Sequence, residues 1–548
     1  MKEQNGLNDR ATDKDRIVVI GLDSYDVDLV ERWSKEGRVP FLTSLMESGV
    51  WTRLISTRSL FGDSPWPSFN AGVSPAKHAW YSHLQIKRGT TEIERVNKHH
   101  YRYLPFWWLL RNAGKKVGVF DVPKTHPIEG IGGMQVAAWG EHYPLLKQSS
   151  LPPDLAKELS ARFGKYRHPT EIVSPKRISQ ELRIYDTIIS NIERKTRATE
   201  FLMAQEDWDL FITVFSEAHY AGHQFFHHFE KSHWAYDRKR ALKLGDTLPN
   251  TCSRLDSAIA TLLKGANDKA TIFIVSVHGI ETNYSGNHLM PTVLEKLGFQ
   301  VRPESGSDAQ GMSGVWDLSR ALRDLIPRTV RDYINENIVP ESFHDRAYSR
   351  EFSSSIDWKR TKAFFLPSDH FQGFISVNLK GREPWGVIQT GAEYDEVCSQ
   401  LCYELKRLVN PKTGTPAVRD VVQISKIYKG ENLYMLPDVV IQWADDYIKQ
   451  LFHPKFGSVS NEGFELRKSQ HSADGFMIAA GRRINKAAAL TEATTMDLAP
   501  TILYLLGETV PNDMDGNALL DLIDEDFRKN NEVKYGNRPL VVPEEMRL

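Results

Sequence analysis

The sequence predicts an α/β fold, with a mostly parallel central sheet flanked by helices on both faces and a smaller inserted lobe. Three observations carry this. The near-continuous apolar runs at 17–22, 117–122, 210–215 and 271–276 read as strands buried on both faces. Helical patterns lie between them, so the chain has a βαβ rhythm. Several of the runs also end in a carboxylate or an imidazole, at the strand ends where ligands gather on an open parallel sheet.

The elements follow in order. Ile17-Val-Val-Ile-Gly-Leu-Asp23 is a first strand ending in a carboxylate. Helices are predicted around Val27–Glu36 and Pro40–Ser48, then a strand at Val117–Val122. A long amphipathic helix, 179–204, leads into the strand Leu210–Phe215. A helix over Leu255–Leu263 leads into the strand Thr271–Ser276. Three stretches break the rhythm and read as insertions: Gln85–Arg111, Pro303–Phe371, and Phe371–Val440, the last as a small α/β lobe. The aromatic run Tyr101 to Trp108 in the first of these is predicted to pack as a core.

At 548 residues the chain is long enough for one large α/β domain with insertions. A hydrophobic content of 41%, a charged content of 25% and a net charge of -1 describe an ordinary globular protein, with no electrostatic pull toward nucleic acid or a membrane surface. Met1 to Asp15 has no apolar segment of the secretory type, and no run of about 18 apolar residues predicts a membrane span. The three cysteines at 252, 398 and 402 make no disulfide framework and read as packed thiols, so a cytoplasmic location is expected.

Histidine carries the chemistry. His219 and His223 stand four residues apart directly after the strand Leu210–Phe215, a spacing that puts two imidazoles on one helix face and suits a shared cation. His278 follows the next strand in Ser276-Val-His-Gly279, and His471 precedes the apolar run Phe476–Ala480. His227 and His228 read as packed or solvated, and Asp369-His370 as a lesser substrate-contact candidate. No Gly-x-Ser-x-Gly elbow, Walker A loop or dinucleotide fingerprint occurs in a fitting context, so a serine hydrolase is disfavoured and a nucleotide would be substrate rather than cofactor.

These pieces, taken with Asn70-Ala-Gly-Val-Ser-Pro-Ala-Lys-His78, Met496-Asp-Leu-Ala-Pro-Thr-Ile-Leu-Tyr-Leu-Leu-Gly507 and Pro511-Asn-Asp-Met-Asp-Gly516, resemble the alkaline phosphatase superfamily on its type I phosphodiesterase/nucleotide pyrophosphatase branch. The resemblance implies a bimetallic phosphoryl-transfer site. Asp23 and His278 match one metal's ligands, and His223 and His471 match the other's. Two positions depart from the pattern. Val277 stands where a ligating Asp is usual, and His219 stands where the second site has an Asp. The second site becomes a three-histidine set suited to Zn²⁺, with Mn²⁺ as an alternative, and the first loses a carboxylate. One tight cation and a second, weaker or absent, are expected. Asp26 and His288 are the candidate substitutes for the missing ligand.

Strict counting puts the family's nucleophile at Gly62, which has no side chain, so Ser64 in Gly62-Asp-Ser-Pro-Trp-Pro-Ser68 is the candidate, ahead of Ser68 and Ser59. Attack by hydroxide at the three-histidine Zn²⁺ is the alternative. Ser64-Pro-Trp-Pro-Ser68 lacks the sulfatase formylglycine pattern, and the matching positions hold too few carboxylates for a cofactor-independent phosphoglycerate mutase.

The expected organisation is a disordered tail at 1–15, a catalytic core at 16–302 and 441–525 interrupted by a variable region at 303–440, and a C-terminal tail at 526–548. The expected function is metal-dependent hydrolysis of a small phosphodiester or pyrophosphate, without binding of a nucleic-acid polymer. The alternatives are a degenerate homologue that binds a phosphorylated or carboxylated ligand without turnover, and a phosphotransferase or phosphomutase on the same fold.

Overall fold

The computed structural model describes residues 15–97, 100–142, 146–169, 175–264, 269–304, 341–368, 371–461 and 467–539. The tail before Asp15, most of 303–340, the pair Asp369-His370 and the last nine residues lie outside them.

The central sheet has nine strands. In chain order they are β1 (Arg16–Leu22), β2 (Val50–Ile55), β3 (Val117–Phe120), β4 (Gly133–Ala137), β5 (Ser149–Leu151), β6 (Leu210–Phe215), β7 (Ala270–Ser276), and, after the second sheet's four strands, β12 (Gly475–Gly481) and β13 (Ala493–Thr494). Their spatial order is β13-β2-β12-β7-β1-β6-β3-β4-β5. β1 pairs in parallel with both β6 and β7. Only β12 and the edge strand β5 run against the rest.

The parallel strands are buried throughout because helices cover both faces. Val18, Ile20 and Leu22 of β1 face one core, with Trp33, Ile188, Phe225 and Leu255. Ile17 and Val19 face the other, with Phe69, Phe106, Ile502 and Leu503. This alternation is the two-residue period of a strand between two layers. The aromatic run packs as expected, with Phe106, Trp107 and Trp108 all buried.

The helices that frame the site are α1 (Val27–Lys35), α2 (Pro40–Ser48), α3 (Pro65–Ala71), α4 (Ile178–Met203), α5 (Glu217–Phe229) and α6 (Thr247–Leu262). Two boundaries differ from the sequence reading. α6 begins at Thr247 rather than Leu255, because Pro249 falls in its first turn, where a missing N–H costs no hydrogen bond. β3 stops at Phe120 because Asp121 turns to φ 61°, out of the extended region.

Four of the strands between β7 and β12 form a second, antiparallel sheet: β8 (Ala363–Leu366), β9 (Gly373–Val377), β10 (Val418–Gln423) and β11 (Val439–Trp443), in the order β8-β9-β11-β10. The helix Ala392–Leu405 packs on it and buries Cys398 and Leu401. Trp443 ties this lobe to the core, its indole donating to Asn287 Oδ1 at 2.8 Å. No described helix is long and apolar enough to cross a membrane.

Candidate metal centre

Strand direction brings the candidate residues to one edge. Asp23 follows β1, α5 follows β6 and His278 follows β7, all at C-terminal strand ends. β12 runs the other way, with Phe476 opposite Ser276, so the segment entering it, which carries His471, reaches the same edge. Glu281–Thr282 pairs antiparallel with Ser469–Gln470 and joins the His278 and His471 loops.

On α5, His219 and His223 sit one turn apart with ring centroids 4.8 Å from each other. His471 stands over both, at centroid distances of 4.4 Å and 4.7 Å. One nitrogen from each of the three lies within 4.8 Å of the others, the only such group of three or more donors among the described residues. His278 packs against His471 at 4.6 Å. Its Nε2 lies 3.5 Å from Asp23 Oδ1.

A hydrogen bond fixes the tautomer of His219. Asp23 Oδ2 accepts from His219 Nδ1 at 2.7 Å, so His219 Nε2 carries the lone pair. That buried atom has no hydrogen-bond partner among the described residues. His223 Nε2 and His471 Nε2 face each other at 3.2 Å. Ser24 Oγ lies 3.0 Å from His471 Nδ1 and 3.2 Å from His278 Nδ1, linking the two rings from behind. Three imidazole nitrogens brought together in this way, one backed by a carboxylate–imidazole bond, suit a metal ion, and the three residues fit Zn²⁺. The other set is poorer. Asp23 and His278 face each other, and the neighbouring side chain of Val277 is buried and apolar, so a cation there would have two ligands.

Burial holds all four imidazoles below the usual histidine range, His278 at about 3. Positive charge lowers them further. Arg467 acts on His219 and His223, Arg58 on His219, His278 and His471, and Lys124 on His219. The rings are therefore neutral, and Arg58, Arg467 and Lys124 set positive charge near them, which suits an anionic ligand.

Ser64 stands at the N-cap position of α3, where its side chain makes no capping bond, and is fully buried. Its Oγ lies 2.7 Å from Thr57 Oγ1 and 2.9 Å from the Phe61 carbonyl. Thr57 Oγ1 is 3.4 Å from Ser68 Oγ, which is 2.9 Å from His78 Nε2. His78 Nδ1 accepts from the Trp80 N–H at 3.0 Å, and burial holds this ring neutral, near a pKa of about 3. His78 Nε2 therefore carries the proton and donates to Ser68 Oγ, while the single Ser64 hydroxyl proton is shared between two acceptors, Thr57 Oγ1 and the Phe61 carbonyl. Among the described residues, no hydrogen bond of Ser64 reaches the histidines.

Asp26 is used differently from the sequence reading. It caps α1, its Oδ1 accepting from the N–H groups of Asp28 and Leu29, and its Oδ2 accepts from Ile280 N–H and Ser472 Oγ. Four donors occupy it, and it joins the His278 and His471 loops rather than replacing the ligand lost at Val277. Gly279 permits that approach, since a Cβ there would collide with Asp26 Oδ2 and Ser472 Oγ. His288 sits on the short helix Asn287–Leu289, which contacts the second lobe, outside the three-histidine group. His228 packs against the buried Glu181, donating to it at 2.9 Å.

His142 is the residue the sequence reading missed. Its ring stacks on His219 at 3.5 Å and 21° and lies 5.9 Å from His223. It follows β4 in Trp139-Gly-Glu-His142, and its loop is anchored where Asp121 accepts the Trp139 and Gly140 N–H groups, both at 2.8 Å. The signal was available, because this histidine also follows a parallel strand.

No curated protein sequence matches the chain. Among solved structures it is similar to phosphonoacetate hydrolase from Sinorhizobium meliloti in two complexes. One, with phosphonoformate, has 12% identity and a TM-score of 0.47, covering 90% of this chain and 95% of that one. The other, with phosphonoacetate, has the same identity and coverage and a TM-score of 0.49. It is also similar to an inactive variant of murine ectonucleotide pyrophosphatase/phosphodiesterase 5 in complex with AMP, with 11% identity and a TM-score of 0.42, covering 93% of this chain and 100% of that one. The model of the type I phosphodiesterase/nucleotide pyrophosphatase family matches residues 17–442, and the chain belongs to that family.

Proposed function

We propose that this chain is a metal-dependent hydrolase of phosphate esters, acting on a phosphodiester or pyrophosphate linkage in a small molecule. The observation that carries the reading is the convergence of three imidazole nitrogens at the ligand edge of the sheet, in a chain of this family. His219, His223 and His471 would hold Zn²⁺, with Mn²⁺ as the alternative ion. A cation held there supplies Lewis-acid stabilisation of charge on a phosphoryl oxygen. Asp23 orients His219, and Arg58, Arg467 and Lys124 supply the field that draws an anionic phosphate to the histidines. Ser64 is the candidate nucleophile, and its attack requires the hydroxyl to leave the Phe61 carbonyl. The free thiols of Cys252, Cys398 and Cys402 fit the cytoplasmic setting that goes with this reading.

A second reading, ligand binding without turnover, draws on that same inward-bonded Ser64 and on the apolar Val277. Turnover of bis(4-nitrophenyl) phosphate separates the two. The expected result is hydrolysis that needs Zn²⁺ or Mn²⁺, is abolished by a chelator, and is lost together with bound metal in a folded His223→Ala variant. Metal-loaded wild-type protein that binds phosphate but turns over neither this diester nor a pyrophosphate would establish the second reading. Unfolding of His223→Ala by circular dichroism would give the histidine a structural role.

A further inference from the structure

Asp23 is a buried carboxylate, and a buried charge persists only where donors or a counter-ion satisfy it. One of its donors is His219. The other is an indole: Trp66 Nε1 donates to Asp23 Oδ1 at 2.9 Å, on the oxygen that faces His278. The ring is 3% exposed and is held edge-to-face on Phe69 at 5.6 Å and 88°. The first strand makes room for it. Gly21 sits in β1 between Val214 and Val275, and a Cβ there would lie 2.7 Å from the tip of the Trp66 ring. A glycine inside a buried strand weakens the strand unless something must approach its backbone, and here the indole does.

We propose that Trp66 takes the place of a second cation: its N–H donates to Asp23 Oδ1 and satisfies that oxygen, so that Asp23 orients His219 and the centre works with a single metal ion. The inference rests on the reading of His219, His223 and His471 as metal ligands. Three features converge on it. An indole N–H can donate to a carboxylate but cannot ligate a metal. Val277 offers no third ligand on that side. With Trp66 and His219 each donating to one of its oxygens, Asp23 is paired without a metal. Trp66 is in these terms a positioning residue, acting on the centre through Asp23.

The test counts metal ions, so it does not depend on turnover. Wild-type protein is titrated with Zn²⁺ by calorimetry, gel-filtered and analysed for metal, beside Trp66→Phe, which keeps an apolar ring and removes the N–H. Wild type is expected to retain one equivalent even from excess Zn²⁺. Trp66→Phe is expected to take up a second, weaker equivalent between Asp23 and His278. Two tight equivalents in wild type would overturn the proposal, whatever the variant does. So would a folded Trp66→Phe that stays at one equivalent with unchanged affinity. If Trp66→Phe does not fold, Co²⁺-loaded wild type gives a second measurement: an absorption titration with one endpoint is expected, and two endpoints would overturn the proposal. Wild type that binds no Zn²⁺ or Mn²⁺ would remove the metal-dependent reading and this inference together, whereas two bound ions would remove this inference alone.

Discussion

His219 donates its Nδ1–H to Asp23 Oδ2 across 2.7 Å, and this bond decides that Nε2 is the nitrogen turned toward His223 and His471. A carboxylate behind a ligating imidazole fixes its tautomer, sets its ring plane and raises its basicity. Asp23→Asn keeps the size and an acceptor oxygen but removes the charge. It is expected to weaken Zn²⁺ binding by roughly 10–100-fold while leaving the stoichiometry unchanged. Competition against a chromophoric chelator measures this, and an unchanged affinity would mean that Asp23 does not act through His219.

The loop that carries His142 rests on a buried ion pair. Lys195 of α4 bonds Asp121, and both side chains are fully buried. Asp121 also holds the Trp139 and Gly140 N–H groups. Removing one partner of a buried pair leaves an uncompensated charge, so Lys195→Met is expected to cost about 3–5 kcal/mol. Urea unfolding followed by circular dichroism checks this, and a loss below about 1 kcal/mol would show that the pair is not needed to hold the loop.

Much of the candidate centre was legible in the sequence because its residues follow long apolar strands. Asp23, His219 and His278 needed only the rule that ligands gather at C-terminal strand ends. His471 required more, since it precedes a strand, and it reaches the same edge only because β12 is antiparallel. His142 was missed because β4 is short and follows Gly130-Ile-Gly-Gly133, which reads as a turn. Asp26 carries a helix-cap signal, an Asp just before an apolar-periodic segment, and it caps α1. Trp66 could not be read at all. Its contact with Asp23 depends on space left by Gly21, which no local pattern reports.

Glu141 gives a pH signature. Burial raises its carboxyl from 4.5 to about 8, although its Oε1 accepts from the Lys124 N–H at 2.9 Å. The folded value lies above the unfolded one, so between them the native state holds the proton more tightly. Its stabilising contribution is complete below about pH 4.5, is lost as pH rises through about 8, and does not return above it. Glu141→Gln keeps the acceptor and cannot ionise. The variant is therefore expected to gain on wild type as pH rises across that window, by roughly 1–3 kcal/mol at the alkaline end. Thermal unfolding at a series of pH values tests this, and parallel profiles for the two proteins would refute it.

The last prediction concerns how phosphorus is attacked. If Ser64 is the nucleophile, its Oγ forms a bond to phosphorus as the first alcohol leaves, and water then displaces Ser64 from the phosphoseryl intermediate. Two in-line displacements retain configuration at a chiral phosphorothioate, and one displacement by water inverts it. Ser64→Ala separates the same routes by rate. It should lower kcat by several orders of magnitude, roughly 10³-fold or more, with little change in bound Zn²⁺, because no described hydrogen bond joins Ser64 to the three histidines. The geometry sets a further condition. His78 Nε2 is already protonated and donates to Ser68, so His78 cannot take the Ser64 proton through Thr57 and Ser68. A covalent route therefore requires the Ser64 proton to leave on the substrate side, and the rate should be insensitive to His78→Asn, which offers an amide N–H in place of the imidazole donor. Inversion at phosphorus together with an active Ser64→Ala variant would eliminate the covalent route and leave hydrolysis by a single attack of water, with Ser64 serving only to bond Thr57 and the Phe61 carbonyl at the start of α3.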